Sequence, residues 1–421
     1  MAQKNSNVLA IGIMFFLFFM IAFVTGLQNP MGVIAKAQFG ASNAMSQLGN
    51  FMNFFAYLFL GIPAGLILKA RGYKFTALSA VAVGFTGVLI SYLSGVLGNY
   101  WVYLLGALVS GFSMCMLNTV VNPMLNTLGG GGNRGNQLIQ FGGSCNSIGA
   151  TIAPILAGYL IGEVTEKTQV ADVNAALFLA MGIFALAFII ILFSAIPEPE
   201  LEAAKAAGKP AAGEGVVESV KGALKFRHFV LGIIAIFLYI GVEVGIPNIA
   251  NLFMTSPTAE GGLGIAAGIA GTFVGAYWFM MLIGRLTGGA VGGKVSSKTM
   301  IVTVSAVAIL FLVIAMFLPK SLVITIKGAA VPFSVILMVA CGLCTSIMWG
   351  AIFNLSVEGL GKYTSIASGI FMTMVVGGGI LPIVQGFAAD KLGFLNSYWL
   401  IIVYLVYLLW FALYGSKPKK A

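Results

Sequence analysis

The sequence predicts an all-α membrane protein with twelve transmembrane helices in two pseudo-symmetric six-helix halves. Of its 421 residues, 59% are hydrophobic and 8% are charged, and the mean hydropathy is +1.02. This composition lies far from that of a soluble domain with a polar surface. Apolar stretches of about 20 residues, long enough to cross about 30 Å of hydrocarbon, follow one another along the chain. One polar stretch divides them into six and six.

Twelve hydropathic stretches mark the expected spans. They cover residues 8–34, 45–69, 74–95, 99–127, 137–161, 173–196, 229–254, 266–291, 299–318, 331–356, 364–388 and 396–415. The first contains a Gln-Asn-Pro break and lacks a small-residue cleavage site, which favours a retained span over a signal peptide. No soluble domain is expected beside them.

The placement of Lys and Arg predicts the orientation of the chain. Seventeen of the 22 basic residues fall on the side of the two termini and five on the other. Basic residues concentrate on the cytoplasmic side of a membrane protein, so both termini are expected in the cytoplasm of a bacterium, with the spans in its inner membrane. This distribution accounts for the net charge of +10 without a nucleic-acid partner.

The polar stretch at about 196 to 228 predicts the domain organisation. We expect an N-terminal half at 1–196, a cytoplasmic linker at 197–228 and a C-terminal half at 229–421. Within the linker, KGALKFR fits either a short amphipathic surface helix or a flexible connection.

Two repeated motifs indicate that the halves are duplicates. GIPAG at 61–65 and GRLTG at 284–288 each place G-x-x-x-G before a basic turn. The spacing of Gly149, Pro154 and Gly158 recurs in the eleventh span at Gly377, Pro382 and Gly386. Two matches at nearly one offset favour an internal repeat, with small residues where helices approach closely.

The sequence offers little for enzyme chemistry. His228 is the only histidine, so neither a Ser-His-Asp triad nor a histidine metal cluster can form. Cys341 and Cys344 form a C-x-x-C inside a span, where small packing residues are the simpler interpretation. Cys115 and Cys145 also lie within spans. We therefore predict a protein that is not an enzyme and needs no cofactor.

Asn-Pro-Met occurs twice in otherwise apolar runs, at 29–31 and 122–124, and Pro247-Asn248 lies at a similar depth of the seventh span. Each is a point where a helix can break beside an amide, so that freed backbone groups face a water-filled cavity. A packing kink in a long helix is the alternative.

Buried amides and aromatic rings predict a sugar site. Asn118, Asn122 and Asn126 follow one another at i, i+4 and i+8 and line one helix face. Carboxamides donate and accept hydrogen bonds, as a sugar hydroxyl does, without the cost of a buried charge. Aromatic faces stack on the apolar face of a pyranose. The residues expected to bind substrate are Gln28, Asn29, Asn118, Asn122, Gln140, Asn146, Asn248, Asn251, Tyr277, Trp278, Trp349 and Asn354.

Charges inside the spans are few. Glu243 is the one acidic residue near the middle of a span, and an intramembrane carboxylate marks function by default. It is expected to couple transport to a cation, binding Na⁺ or carrying a proton, although a structural, protonated Glu is the alternative. Arg285, in GRLTGG near the cytoplasmic end of its span, is expected to act as a gate or to cap carbonyl groups. The absence of a basic residue at mid-membrane favours a neutral substrate.

Several stretches resemble the fucose and glucose/galactose branch of the major facilitator superfamily. The resemblance runs through both halves, in NTVVNPMLNTLG (118–129), LIQFGGSCNSIGATIAPILAG (138–158), LYIGVEVGIPN (238–248), MLIGRLTGGAVGG (281–293) and the stretch 346–393. It implies the major facilitator fold, with spans 1, 4, 7 and 10 lining a central cavity, and the import of monosaccharides with H⁺ or Na⁺. Glu243 lies where many sodium-dependent members also carry Glu.

Two departures from that pattern concern the coupling residues. Members usually carry Leu-Asn-Asp in span 1, where this chain has Leu27-Gln28-Asn29, and fucose-type members carry Glu at the position of Asn118. Both acids of the N-terminal half are therefore replaced by amides, which makes Na⁺ at Glu243 plausible beside H⁺.

Together these observations predict a monomeric secondary transporter that imports a small neutral sugar with Na⁺ or H⁺ by alternating access. A passive sugar facilitator, or an exporter of small amphipathic compounds, is the alternative.

Overall fold

The computed structural model describes residues 2–28, 38, 43–161, 169–199, 201–202, 216–319, 321–326 and 328–418. Its α-helices are, in chain order, α1 Ala2–Gln28, α2 Asn43–Leu97, α3 Tyr100–Leu128, α4 Gly132–Ile161, α5 Asn174–Phe193, α6 Val216–Leu224, α7 Arg227–Thr255, α8 Ala267–Gly292, α9 Ser297–Phe317, α10 Phe333–Thr345, α11 Met348–Val357, α12 Thr364–Thr373, α13 Gly377–Leu392 and α14 Tyr398–Trp410.

The twelve-helix prediction is confirmed. Ten helical stretches of the described residues are long and apolar enough to cross a membrane. One of them, Phe51–Leu97, covers two predicted spans, and α2 is broken between these at Gly72, where φ is 83° and ψ is −179°. The remaining predicted span coincides with α4, whose many Gly, Asn and Gln residues lower its hydropathy.

The tenth predicted span, 331–356, coincides with the apolar helical stretch Phe333–Val357, within which α10 ends at Thr345 and α11 begins at Met348. Before it, β1 (Val323–Ile326) pairs antiparallel with β2 (Ala329–Pro332) across Gly328, whose φ is +82°. The alternating VITI before Lys327-Gly328 is a hairpin signal that hydropathy alone does not show.

The described chain forms two compact units. The first contains residues 1–130, 142–225 and 359–376, and the second contains 131–141, 226–358 and 377–421. Each unit therefore includes one short segment from the opposite part of the sequence. The division into two six-helix halves, at 1–196 and 229–421, stays a prediction.

The repeated glycines serve the same purpose in the two units. A Cβ at Gly149 of α4 would clash with the carbonyl oxygen of Phe19 in α1, and a Cβ at Gly377 of α13 would clash with that of Phe237 in α7. In each unit a motif glycine thus lets two helices approach at backbone distance.

Two contacts fix the ends of helices near the linker. Glu198 accepts hydrogen bonds from the backbone N–H groups of Tyr73 and Lys74, at 2.7 and 2.8 Å, where α2 resumes after Gly72. Lys69 Nζ donates to Ser219 Oγ of α6 at 2.7 Å. The observed α6 ends at Leu224, so it covers the first four residues of KGALKFR only.

Candidate functional site

The asparagine row of α3 is buried in the first compact unit. Asn118, Asn122 and Asn126 expose 9%, 0% and 8% of their surface. Asn118 Nδ2 donates to the Tyr57 hydroxyl at 3.0 Å and to the Met114 carbonyl at 3.1 Å. Asn122 Nδ2 donates to the carbonyl of Asn118 at 2.8 Å. The amide nitrogens are therefore turned toward the helix backbone and Tyr57.

In this arrangement the side-chain carbonyl oxygens of Asn118 and Asn126 are the hydrogen-bond acceptors that the row offers to a ligand. The two hydrogens of Asn118 Nδ2 are both engaged, so its carbonyl oxygen is the atom left for a ligand. Asn126 Oδ1 is buried and has no hydrogen-bond partner among the described residues. A buried acceptor without a partner is costly unless a ligand or water supplies a donor. Sugar hydroxyl groups can do so.

The Pro123 break lies in the same row. A proline at 123 has no N–H, so the carbonyl of Thr119 cannot form its regular helical hydrogen bond. Ser368 Oγ of α12 donates to that carbonyl at 3.2 Å. A hydroxyl from another helix thereby replaces the bond that the proline removes.

Glu243 and Arg285 form an ion pair in the second compact unit. Arg285 Nη2 lies 3.5 Å from Glu243 Oε1, and the two side chains are 13% and 12% exposed. Glu243 lies on α7 and Arg285 on α8. An isolated charge of either sign would be expensive at this burial, and pairing lowers that cost.

Two tyrosines hold the backbone around this pair. Tyr277 Oη donates to the Glu243 carbonyl at 3.0 Å and lies 3.0 Å from Thr345 Oγ1. Tyr239 Oη donates to the Thr345 carbonyl at 3.1 Å. The Glu243 carbonyl is available because Pro247, four residues later, has no N–H to give it.

The break between α10 and α11 meets three other helices. The carbonyl of Thr345 accepts from Tyr239 of α7, that of Ser346 from Arg285 Nε of α8 at 3.4 Å, and that of Ile347 from Gln140 Nε2 of α4 at 2.7 Å. Ser346 and Ile347 keep right-handed helical φ and ψ angles, so the interruption is slight and its carbonyl groups are held by side chains of other helices. Gln140, predicted to bind substrate, is therefore engaged with the backbone in this structure.

The other predicted residues are more scattered. Asn146 Nδ2 donates to the Phe18 carbonyl at 3.0 Å, and Asn354 Nδ2 donates to Ser297 Oγ at 2.9 Å. Trp349 lies edge-on to Tyr239, with ring centroids 6.4 Å apart, and Trp278 is 38% exposed. Asn248 is exposed and Asn251 is half-buried. Gln28 is the last residue of α1, and Asn29 lies outside the described residues.

Sequence reasoning missed the hydroxyl groups that complete both clusters, namely Tyr57, Thr345 and Ser368. The two prolines signal that the carbonyls of Thr119 and Glu243 need new donors. Only the packing of the helices shows which side chains supply them.

The described residues contain no group of three or more His, Cys, Asp or Glu side chains that could hold a metal ion. Cys341 and Cys344 are buried free thiols.

The sequence profile described as the Major Facilitator Superfamily matches residues 14–381. The chain is 29% identical over 419 residues to the glucose/galactose transporter of Brucella abortus, covering 99% of this chain and 96% of that protein. It is 27% identical over 434 residues to a putative glucose/galactose transporter of Helicobacter pylori, covering 99% of both. It is 22% identical over 411 residues to the L-fucose-proton symporter of Escherichia coli, covering 93% and 89%.

Two solved structures share the fold. The Escherichia coli fucose:proton symporter FucP superposes with a TM-score of 0.82 at 20% identity, covering 98% of this chain and 100% of that one. The proton:xylose symporter XylE superposes with a TM-score of 0.73 at 12% identity, covering 99% and 97%. At these identities the likeness establishes the fold.

Proposed function

This chain belongs to the Major Facilitator Superfamily, and we propose on that premise that it imports a small neutral sugar together with a cation by alternating access. The relatives it matches over nearly their whole length are named as transporters of glucose, galactose or fucose. The prediction of a transporter rather than an enzyme is confirmed by these relatives.

The buried asparagine row carries the sugar part of the proposal. Asn126 has a buried carbonyl oxygen without a donor among the described residues, the carbonyl oxygen of Asn118 is the atom of its amide left for a ligand, and every hydroxyl group of a sugar is a donor. The row contains no charge, which suits a neutral ligand. Asn122 continues the same helix face between them.

Glu243 carries the cation part. It is the acidic residue predicted near mid-membrane, and its charge is balanced by Arg285 rather than by solvent. Binding of H⁺ or Na⁺ at the carboxylate would change that balance. The relative named as a symporter takes a proton, whereas the amides at Asn29 and Asn118 in this chain leave Glu243 as the candidate for either ion.

The finer points of the prediction belong to the same proposal. We expect a monomer in a bacterial inner membrane with both termini in the cytoplasm, in keeping with the distribution of basic residues. The two six-helix halves would move against each other about the sugar, as in other transporters built from repeats.

Uptake into proteoliposomes tests the proposal. The purified protein is assayed with radiolabelled D-glucose, D-galactose and L-fucose, with an inward Na⁺ gradient, an inward H⁺ gradient or neither. We expect one of these sugars to accumulate above its outside concentration under one of the gradients. Equilibration of a sugar without accumulation would make the protein a passive facilitator, and no uptake of any neutral sugar would contradict the proposal.

Glu243→Gln separates coupling from binding. The amide keeps the shape of the side chain but holds no proton and ligates a cation poorly, so accumulation should be lost while counterflow exchange of sugar survives. Glu260→Gln, in the exposed loop after α7, is the matched control and should behave as the parent. Accumulation by the Glu243→Gln protein equal to that of the parent would place coupling elsewhere.

A further inference from the structure

Arg285 contacts groups of two different kinds, a carboxylate and a backbone carbonyl. Its Nη2 lies 3.5 Å from the Glu243 carboxylate, and its Nε donates to the Ser346 carbonyl at 3.4 Å. Ser346 lies in the two-residue break between α10 and α11. A guanidinium has five N–H donors in a rigid fork, so a single Arg can hold a carboxylate and a carbonyl at once.

Among the described residues, the titratable side chains beside Glu243, apart from Arg285, are two tyrosines. Tyr239 on the same helix and Tyr277 on α8 lie beside it, and α10 adds the thiols of Cys341 and Cys344 next to Tyr277. From α14, Tyr398 donates to the carbonyl of Ile246. Arg285 is therefore the positive charge that faces Glu243 among the described residues.

The carbonyl of Ser346 in the break offsets a free-energy cost that any cation bound at Glu243 would impose on Arg285. Arginine stays protonated at all accessible pH values. If a proton or Na⁺ neutralised the carboxylate, the guanidinium would lose the counter-charge of Glu243 at a place where its side chain is only 13% exposed, which costs free energy. The carbonyl of Ser346 is a partial negative charge already bonded to it, so the guanidinium keeps a partner.

We propose that Arg285 is an exchangeable partner of Glu243, which the coupling cation replaces at the carboxylate and which then rests on the Ser346 carbonyl in the α10–α11 break. This inference rests on the proposed function, since it presumes that a cation binds at Glu243. Arg285 would compete with the coupling cation for the Glu243 carboxylate. It would thereby set the cation concentration that sugar accumulation requires.

The competition gives a measurable consequence. A positive charge within about 4–6 Å of a carboxylate disfavours a second cation there by a factor of about 10 to 1000. Arg285→Gln removes that charge, so half-maximal sugar accumulation should need at least about 10-fold less Na⁺, or occur at least about one pH unit higher if the ion is H⁺. The two arms of the titration, Na⁺ at constant pH and pH without Na⁺, identify the ion.

The experiment uses full-length protein in proteoliposomes and the sugar of the panel that the parent accumulates fastest. Lys294→Gln removes a positive charge near the end of the same helix and should leave the cation titration unchanged. Arg285→Lys keeps the charge without the fork, and we expect its titration to lie between those of the parent and of Arg285→Gln. If Arg285→Gln is not recovered folded, the shift of Arg285→Lys decides the question.

The failures of the two proposals are distinguishable. If sugar uptake by the parent protein responds to neither gradient, the proposed coupling is wrong. Suppose instead that the parent is coupled and that Glu243→Gln uncouples it. If Arg285→Gln then needs the cation at a concentration within about twofold of that of the parent, the role of Arg285 alone is overturned. Loss of counterflow exchange in a folded Arg285→Gln protein would also overturn it, because Arg285 would then be part of the sugar-binding machinery.

Discussion

Tyr277 supplies the hydrogen bond that Pro247 removes. The proline leaves the carbonyl of Glu243 without its helical N–H donor, and the Tyr277 hydroxyl, from α8, lies 3.0 Å from that carbonyl oxygen. Ser368 has the same relationship to Pro123 through the carbonyl of Thr119. Each compact unit thus contains a proline break whose freed carbonyl is held by a hydroxyl from a different helix.

Tyr277→Phe should therefore destabilise the protein by more than the loss of a tyrosine hydroxyl group does elsewhere. It leaves the Glu243 carbonyl buried without its donor, at a cost of about 1–3 kcal/mol. Tyr398→Phe is the matched control, because Tyr398 is equally buried and also donates to a carbonyl of α7, that of Ile246. Ala250 can still give that carbonyl a backbone N–H, so the loss should be smaller. Melting of the detergent-solubilised proteins measures both, and equal losses would contradict the account.

A double-mutant cycle tests the second proline. Ser368→Ala alone should cost about 1 kcal/mol or more, because it leaves the Thr119 carbonyl without a donor. Pro123→Ala restores an N–H at position 123, so Ser368→Ala in that background should cost much less. Thermal melting of the parent, both single variants and the double variant gives the coupling. Additive losses would show that Ser368 and Pro123 act independently.

Glu198 provides a pH-dependent contact outside the membrane spans. Burial raises the pKa of its carboxyl above the ordinary value of 4.5, and nearby Glu202 adds to the rise, although the backbone N–H groups of Lys74 and Tyr73 oppose it. The folded protein therefore binds this proton more tightly than the unfolded chain does. The resulting contribution to stability is complete below pH 4.5 and is lost as the pH rises through the raised pKa.

Glu198→Gln, which does not titrate, should remove this decline. The melting temperature of the parent minus that of the variant is expected to fall as the pH is raised from about 4.5 toward neutrality. Glu218→Gln, an exposed acid at the start of α6, should leave the pH profile of the parent unchanged. A difference that grows with pH would mean that the ionised form of Glu198 is the one favoured by folding. Glu198→Ala, which also removes the acceptor, should cost about 0.5–2 kcal/mol near pH 4.5, as other helix caps do, and this cost should also fall as the pH rises.

The helices could be predicted from the sequence because their length and apolarity are set by the bilayer, independently of their neighbours. The roles of the polar side chains could not. Gln140 and Asn354 carry amides, which are common in ligand-binding sites. In the structure, however, these amides donate hydrogen bonds to the Ile347 carbonyl and the Ser297 hydroxyl. An amide binds a helix backbone as readily as a sugar, and only tertiary packing decides between them.

The break at Ser346 and Ile347 was hidden for a related reason. It contains neither proline nor glycine, so no local signal marks it. It persists because Tyr239, Arg285 and Gln140 bind its carbonyl groups from three other helices. Such a feature is a property of the assembled bundle rather than of the segment.

The asparagine row yields the most direct prediction on substrate. Asn118→Ala removes an acceptor whose oxygen is left for a ligand, so the sugar should bind about 2- to 12-fold more weakly, equivalent to about 0.5–1.5 kcal/mol for one hydrogen bond. Tyr57→Phe is the informative companion, because it removes the hydroxyl that accepts from Asn118 Nδ2 but leaves the Asn118 oxygen in place. Its effect on affinity should be smaller, since the Met114 carbonyl still holds the amide. Binding of the accumulated sugar to the purified proteins, measured calorimetrically beside a thermal melt, separates lost affinity from lost folding. Unchanged affinity in both Asn118→Ala and Asn122→Ala would show that the row is structural and that the sugar binds elsewhere.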